Sequence, residues 1–172
     1  PIELVEPSFN QMQVQHNIGL DFASGVKTLL RQDPDIIMVG EIRDRETAEM
    51  AVQAALTGHL VLSTLHTNDA PGAITRLIDI GVKPFLVSTS LRCAMAQRLV
   101  RKICAKCKRP MTPTAQELRS LNINSAQAAT ATFAKGDGCS SCNATGYRGR
   151  MGIFEIFVIN EEIQKMIYEG AG

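Results

Sequence analysis

Apolar positions along the chain fall into two kinds of run. Short continuous blocks, Ile36–Val39 and "HLVLSTLH" from His59 to His66, predict brief buried strands. Around them the apolar residues recur at helical spacing. Phe22, Val26, Leu29 and Leu30 share one face of a helix over 22–32, capped by Asp21 and stopped by Pro34. Ala48, Ala51, Val52, Ala55 and Leu56 share a face of the next, with Glu46, Glu49 and Gln53 opposite. Asp44 suits its cap and Gly58 its C-terminal stop. A third helix follows Asn68 and Asp69, carries Ala70, Ala73, Ile74, Leu77 and Ile78 on one side, and ends at Gly81. A fourth is predicted from Pro84 to Lys102. It is apolar on several sides and therefore buried, with Arg92, Arg98 and Arg101 reaching outward.

Helix, strand, helix, strand, helix without hairpin turns predicts an α/β fold with a parallel sheet covered on both faces. Ligands in such sheets sit at the carboxyl ends of the strands. Glu41 follows one such end and His66 the other. The first twenty residues read as loop with a β-ribbon. At Ile103 the composition turns polar, rich in Ser, Thr, Ala, Lys and Gly, and stays so to Arg150. Within it Thr114 and Glu117 have capping-box spacing for a short helix. Residues 152–160 return to strand character and "EEIQKMIYEG" begins a last helix. The expected organisation is a core over 1–102, a separate module over 103–150, and a return to the core over 151–172.

Composition narrows the classes. A chain of 172 residues that is 45% hydrophobic can bury a core. Its net charge of +1, its 5% aromatic content and its lack of Trp argue against a base-stacking nucleic-acid partner. The apolar stretches are too short or too polar to span a bilayer, and no signal peptide opens the chain. The start at Pro1 and the end in "YEGAG" give the expectation of a piece cut from something longer.

Three patterns carry chemistry. In "DPDIIMVGEIRD" a buried strand runs through Gly40 into Glu41. A carboxylate fixed there can orient or deprotonate a water, or hold a magnesium-bound water; the alternative is an exposed acid at a strand end. In "GHLVLSTLHTND", His59 and His66 flank the second strand. A histidine there can hydrogen-bond a terminal phosphate, or be a satisfied polar group at a strand edge. Cys104 and Cys107 form one C-x-x-C, and Cys139 and Cys142 another, 31 residues on. Four thiolates are the set that tetrahedral zinc prefers, and Lys106, Lys108 and Arg109 would offset their charge. Free thiols or redox chemistry are the alternative. The fifth cysteine, Cys93, reads as a buried residue of the fourth helix.

Other features carry less. "ASGVKT" at 23–28 lacks the glycine spacing of a phosphate loop and reads as mid-helix. His16 has no local partner. Arg31, Arg43, Arg45, Arg98 and Arg101 can reach phosphates or a neighbouring subunit, or simply sit solvated at helix ends.

Taken together, "LLRQDPDIIMVGEIRDRETAEMAVQAALTGHLVLSTLHTNDAPGAITRL", "AQRLVRKIC" and the two cysteine pairs closely resemble the secretion traffic ATPases, specifically the type II secretion and type IV pilus assembly motors. The likeness spans essentially the whole chain. It implies the carboxyl-terminal part of a RecA-like P-loop ATPase core with an inserted tetracysteine zinc module. It implies Glu41 as the Walker B glutamate, with Gly40 in place of the usual metal-binding aspartate. His59 and His66 would belong to the histidine box, His66 nearer the terminal phosphate, and Arg43 would lie at the nucleotide. Glu3, in Pro1-Ile2-Glu3, would be the surviving residue of the acidic box. Such motors form hexameric rings, bind ATP and Mg2+, hold structural Zn2+, and drive pilin or pseudopilin polymerisation. They work on the cytoplasmic face of the inner membrane through a platform protein and a cytoplasmic adaptor. Retraction motors of the family lack the cysteines, which implies the assembly or secretion branch.

The family's phosphate loop lies upstream and is absent from these residues. The parent is therefore expected to be the ATPase, and this piece alone to bind nucleotide poorly or not at all. A second reading is a zinc-stabilised interaction module without catalysis of its own. A third, a nucleic-acid motor on the same core, has little support from charge or aromatic content.

Overall fold

A computed structural model describes residues 2–170. Pro1, the first residue of the acidic-box remnant, and the terminal Ala171-Gly172 lie outside the described residues. The chain forms two compact units. One holds the residues up to Ala96 and those from Glu155 onward; the other runs from Gln97 to Phe154.

In the first unit, helix α1 (Phe22–Leu29) opens on a capping box in which the Asp21 carboxylate accepts the Ser24 N–H. A 3-10 turn (Leu30–Gln32) and a left-handed Asp33 lead into strand β1 (Ile36–Val39). Helix α2 (Arg45–Leu56) is capped by Asp44, whose carboxylate accepts the Thr47 N–H at 2.8 Å. Its buried side is Thr47, Ala48, Ala51, Val52 and Ala54, so Ala54 takes the place expected for Ala55, and Leu56 is half-exposed. Strand β2 (Leu60–Ser63) returns parallel to β1, Ile36 opposite Leu60 through Val39 opposite Ser63. Helix α3 (Gly72–Ile80) ends at Gly81, whose φ of +108° only glycine takes without strain. Helix α4 (Pro84–Ser90) carries Pro84 in its first turn. Helix α7 (Glu161–Glu169) closes the unit, capped by Asn160.

Ile37, Val39, Ala48, Val52, Leu77, Val87 and Ile167 form the centre of the core. Alternation along β1 sends Ile37 and Val39 into it and leaves Ile36 and Met38 exposed. Leu60 and Leu62 are exposed on β2 as well. The expected cover on both sheet faces is therefore present on one face only among the described residues.

The fourth helix is the main correction. It stops at Ser90, and Cys93–Ile103 is strand β3, sharing a two-stranded sheet with strand β6 (Tyr147–Val158). Ile159 N–H donates to the Arg92 carbonyl and Cys104 N–H to the Gly146 carbonyl, so the pair runs antiparallel. "CAMAQRLVRKI" is full of good helix formers, and strand pairing overrides that propensity. The visible trace of a strand is alternation at its start: Ala94 is buried while Cys93 and Met95 are exposed. Cys93 is accordingly an exposed strand residue rather than a core one. The N-terminal ribbon reduces to a single bridge between Gln15 and Leu20.

The second unit contains strand β4 (Lys108–Pro110) antiparallel to β5 (Ala134–Gly136), with helices α5 (Ala115–Ser120) and α6 (Ser125–Thr130) between them. The Thr114–Glu117 capping box is formed. Its only buried residues are Cys104, Cys142 and Gly146. It also concentrates charge: ten Lys and Arg stand against two Asp and Glu, a balance of +8. The remaining residues carry eight against fifteen, or −7, and the net +1 conceals this division.

Candidate functional site

The parallel register brings two chemical groups to the same sheet end. Pairing continues one step beyond the strands. Ile42 N–H donates to the Thr64 carbonyl at 3.0 Å, and Thr64 Oγ1 donates to the Gly40 carbonyl at 2.7 Å. Gly40 and Thr64 thus close the strand ends, and Glu41 and His66 emerge beside each other. Glu41 Oε2 lies 3.4 Å from His66 Nε2 and 2.7 Å from Arg43 Nε. The Glu41 side chain is 13% exposed, while His66 and Arg43 are largely open to solvent. Partial burial pushes the Glu41 carboxyl up. The hydrogen bonds from Arg43 and then His66, with their charges, outweigh it and hold the group below its usual value. Oε2 takes both contacts and Oε1 has no protein partner among the described residues. The result is an ionised carboxylate at a strand end with one oxygen free to accept from water.

The other expected residues are placed differently. His59 precedes Leu60 at the amino end of β2, where its Nδ1 is 2.9 Å from the Ala54 carbonyl and 3.1 Å from Thr57 Oγ1. Strand rise puts it on the order of 20 Å from His66 along the chain. Its contacts tie the end of α2 to the start of β2. Glu3 is exposed on a segment held by Gln11 and Gln13, and no hydrogen bond or ion pair joins it to Glu41 or His66.

The four paired cysteines converge. Their sulfurs all lie within 4.8 Å of one another. Cys104–Cys139 and Cys107–Cys142 are 3.9 Å apart and Cys139–Cys142 3.8 Å. A tetrahedron with metal–sulfur bonds of about 2.3 Å has edges of about 3.8 Å, so the set fits a four-thiolate metal ion. Cys142 accepts N–H bonds from Cys139 at 3.2 Å and from Gly146 at 3.3 Å. Burial pushes its thiol up, and these donors, with the neighbouring cysteines, bring it down to about 6. The second knuckle can reach the sulfurs because its backbone packs without side chains. A Cβ on Gly146 would stand 2.4 Å from the Gly136 carbonyl oxygen, and one on Gly138 would stand 2.6 Å from that of Ala144. Small residues in "GDGCSSCNATG" signal this packing, although the partners across it do not show in sequence.

The expected α/β fold with a parallel sheet is that of RecA-like secretion motors, and the chain's likeness to solved ones bears this out. The ATPase DotB of Legionella pneumophila superposes with a TM-score of 0.60 at 28% identity, covering 99% of this chain and 38% of that one. The pilus retraction motor PilT, solved with bound ADP, gives 0.57 at 31% identity, covering 87% and 33%. The family description "Type II/IV secretion system protein" matches residues 1–172, and the chain belongs to that family. The type IV pilus assembly ATPase TfpB of Acinetobacter baylyi is 53% identical over 97% of this chain and 28% of its own length. The type II secretion system protein E of Pseudomonas aeruginosa is 51% identical over 98% and 33%. The chain thus spans about a third or less of the curated relatives it matches. Among the described residues no helix is long and apolar enough to cross a membrane.

Proposed function

We propose that the parent of this chain hydrolyses ATP with Mg2+ and uses the energy to assemble pilin or pseudopilin fibres, in type II secretion or type IV pilus biogenesis. The observation that carries this reading is Glu41 beside His66 at the carboxyl end of two parallel strands, in a chain of the secretion ATPase family. Magnesium and the triphosphate would come to that strand end. Glu41, held ionised, takes the proton of the attacking water or orients it through its free oxygen. His66 is in reach of Glu41 and would hydrogen-bond the terminal phosphate, while Arg43, 2.7 Å away, holds the carboxylate ionised. His59 and Glu3 meet neither Glu41 nor His66 within the described residues, and in a homo-hexamer they would serve the nucleotide from a neighbouring subunit.

Zn2+ is the natural occupant of the four cysteines and serves structure. The exposed sheet face of Ile36, Met38, Leu60 and Leu62 is the surface on which the rest of the parent packs, because parallel sheets are buried on both sides. The +8 balance of the cysteine unit suits a cytoplasmic, peripheral place at the inner membrane, beside a platform protein and an adaptor. Co-sedimentation with anionic vesicles that does not weaken with rising salt would count against that placement. Magnesium-dependent ATP turnover by the purified parent tests the main reading, and its absence would refute it. The 172-residue segment, which holds no phosphate-loop motif, should show no turnover above background.

A second reading is supported for the segment by itself. A metal-held unit lacking any buried aliphatic residue is suited to interaction, and the segment can serve assembly without catalysis.

A further inference from the structure

The loop from Leu65 to Pro71 carries His66 and is held at several points. Thr67 Oγ1 donates to the Asp69 carbonyl, and the Asp69 carboxylate accepts the Gly72 N–H at 2.7 Å. A further anchor comes from far along the chain. The Glu155 carboxylate on β6 accepts the Ala70 N–H at 2.7 Å, in a part-buried bond across 85 positions of sequence. Ala70 is 2% exposed and sits in a small apolar cluster with Ala73 and Ala94, against which Leu65 and Phe157 pack. Glu155 and Phe157 are two apart on one strand, so they share a face. One takes the loop's amide and the other packs on its apolar residues. Leu65, beside His66, belongs to the same cluster.

We propose that Glu155 is a positioning residue for the hydrolytic site: by accepting the Ala70 N–H it fixes the loop that holds His66 against Glu41. Glu155 touches neither of those side chains and acts only through the backbone. The inference rests on the proposed ATPase reading of that site. Displacements of about 1 Å in a reacting array cost up to about a hundredfold in rate. Removal of the acceptor should therefore lower turnover while leaving nucleotide affinity almost intact. The amide oxygen of Gln can still accept the Ala70 N–H.

The test uses the full-length parent with Glu155→Ala, Glu155→Leu and Glu155→Gln, with Glu41→Gln as reference. Steady-state ATP hydrolysis and hydrogen exchange over residues 66–72 are both measured. The expected result for Ala and Leu is a kcat lowered about tenfold or more, with KM for ATP within about twofold and faster exchange confined to 66–72. Glu155→Gln should restore both readouts. Wild-type kcat in Glu155→Ala overturns the proposal. So does an equal loss in Glu155→Gln, or exchange that quickens throughout the chain. If neither Ala nor Leu folds, the role is structural and the proposal fails. Should the wild-type parent hydrolyse no ATP, the proposed function fails by itself, and local exchange still decides whether Glu155 holds the loop.

Discussion

Removal of metal from the cysteine unit should unfold it while sparing the α/β core. The residues from Gln97 to Phe154 bury only Cys104, Cys142 and Gly146, with no aliphatic side chain among them. Domains of about 60 residues are marginal even with a proper hydrophobic core. A structural zinc contributes about 10–16 kcal/mol in apparent binding free energy, far more than the burial of two thiols, at roughly 1 kcal/mol each, can supply. Parent protein purified without added zinc should contain one zinc per chain by elemental analysis. After chelation, hydrogen exchange over 97–154 should approach that of an unfolded chain. Protection over β1, α2 and β2 should persist, because their core of Ile37, Val39, Ala48 and Val52 includes none of the cysteines. Cys142→Ser should lower zinc affinity more than about a hundredfold, the upper span of losses from outer contacts alone, since it removes a ligand. Unchanged protection over 97–154 after complete metal removal would refute the reasoning. So would protein without zinc whose cysteines form reversible disulfides.

Two other outcomes follow from particular contacts. Gly146→Ala places a Cβ 2.4 Å from the Gly136 carbonyl oxygen at a φ of +76°, so a loss of more than about 2 kcal/mol is expected, read as weaker zinc retention in a competition titration. Arg43→Gln removes the closest cation from Glu41, and the carboxyl should titrate at higher pH than in wild type, followed by carboxyl carbon NMR. The sign is fixed by linkage. A carboxyl held below its unfolded value contributes stability above that value and loses it as pH falls through the lower, folded one. The substitution should therefore move the acid limit of that contribution upward, and an unmoved titration would show that solvent already screens the pair.

The parts of the fold legible in sequence are those written locally. Asp21, Asp44 and Thr114 each cap the helix that follows them, since a cap and its amide lie three residues apart. Ile36–Val39 reads as a strand because a short apolar run precedes a turn and an acid. The cysteine pairs state their own convergence through spacing. Long-range pairing is what sequence conceals. Cys93–Ile103 has helical composition and becomes a strand only because β6 lies beside it. Ala70 and Glu155 are 85 residues apart and share no pattern. The closeness of Glu41 and His66 is intermediate. It follows from parallel pairing, which the alternation of elements implies, together with a register that only the structure supplies. The same register sends His59 to the far strand end, which membership of one motif does not reveal.

Glu41 is the group on which hydrolysis should depend. In the full-length parent, Glu41→Gln keeps the side chain's size and removes its basicity. ATP hydrolysis and nucleotide binding measured side by side on that variant are the most direct test. Turnover should fall by about 10²-fold or more with ATP binding retained, in line with what a positioned general base contributes. Normal turnover by Glu41→Gln would contradict that role.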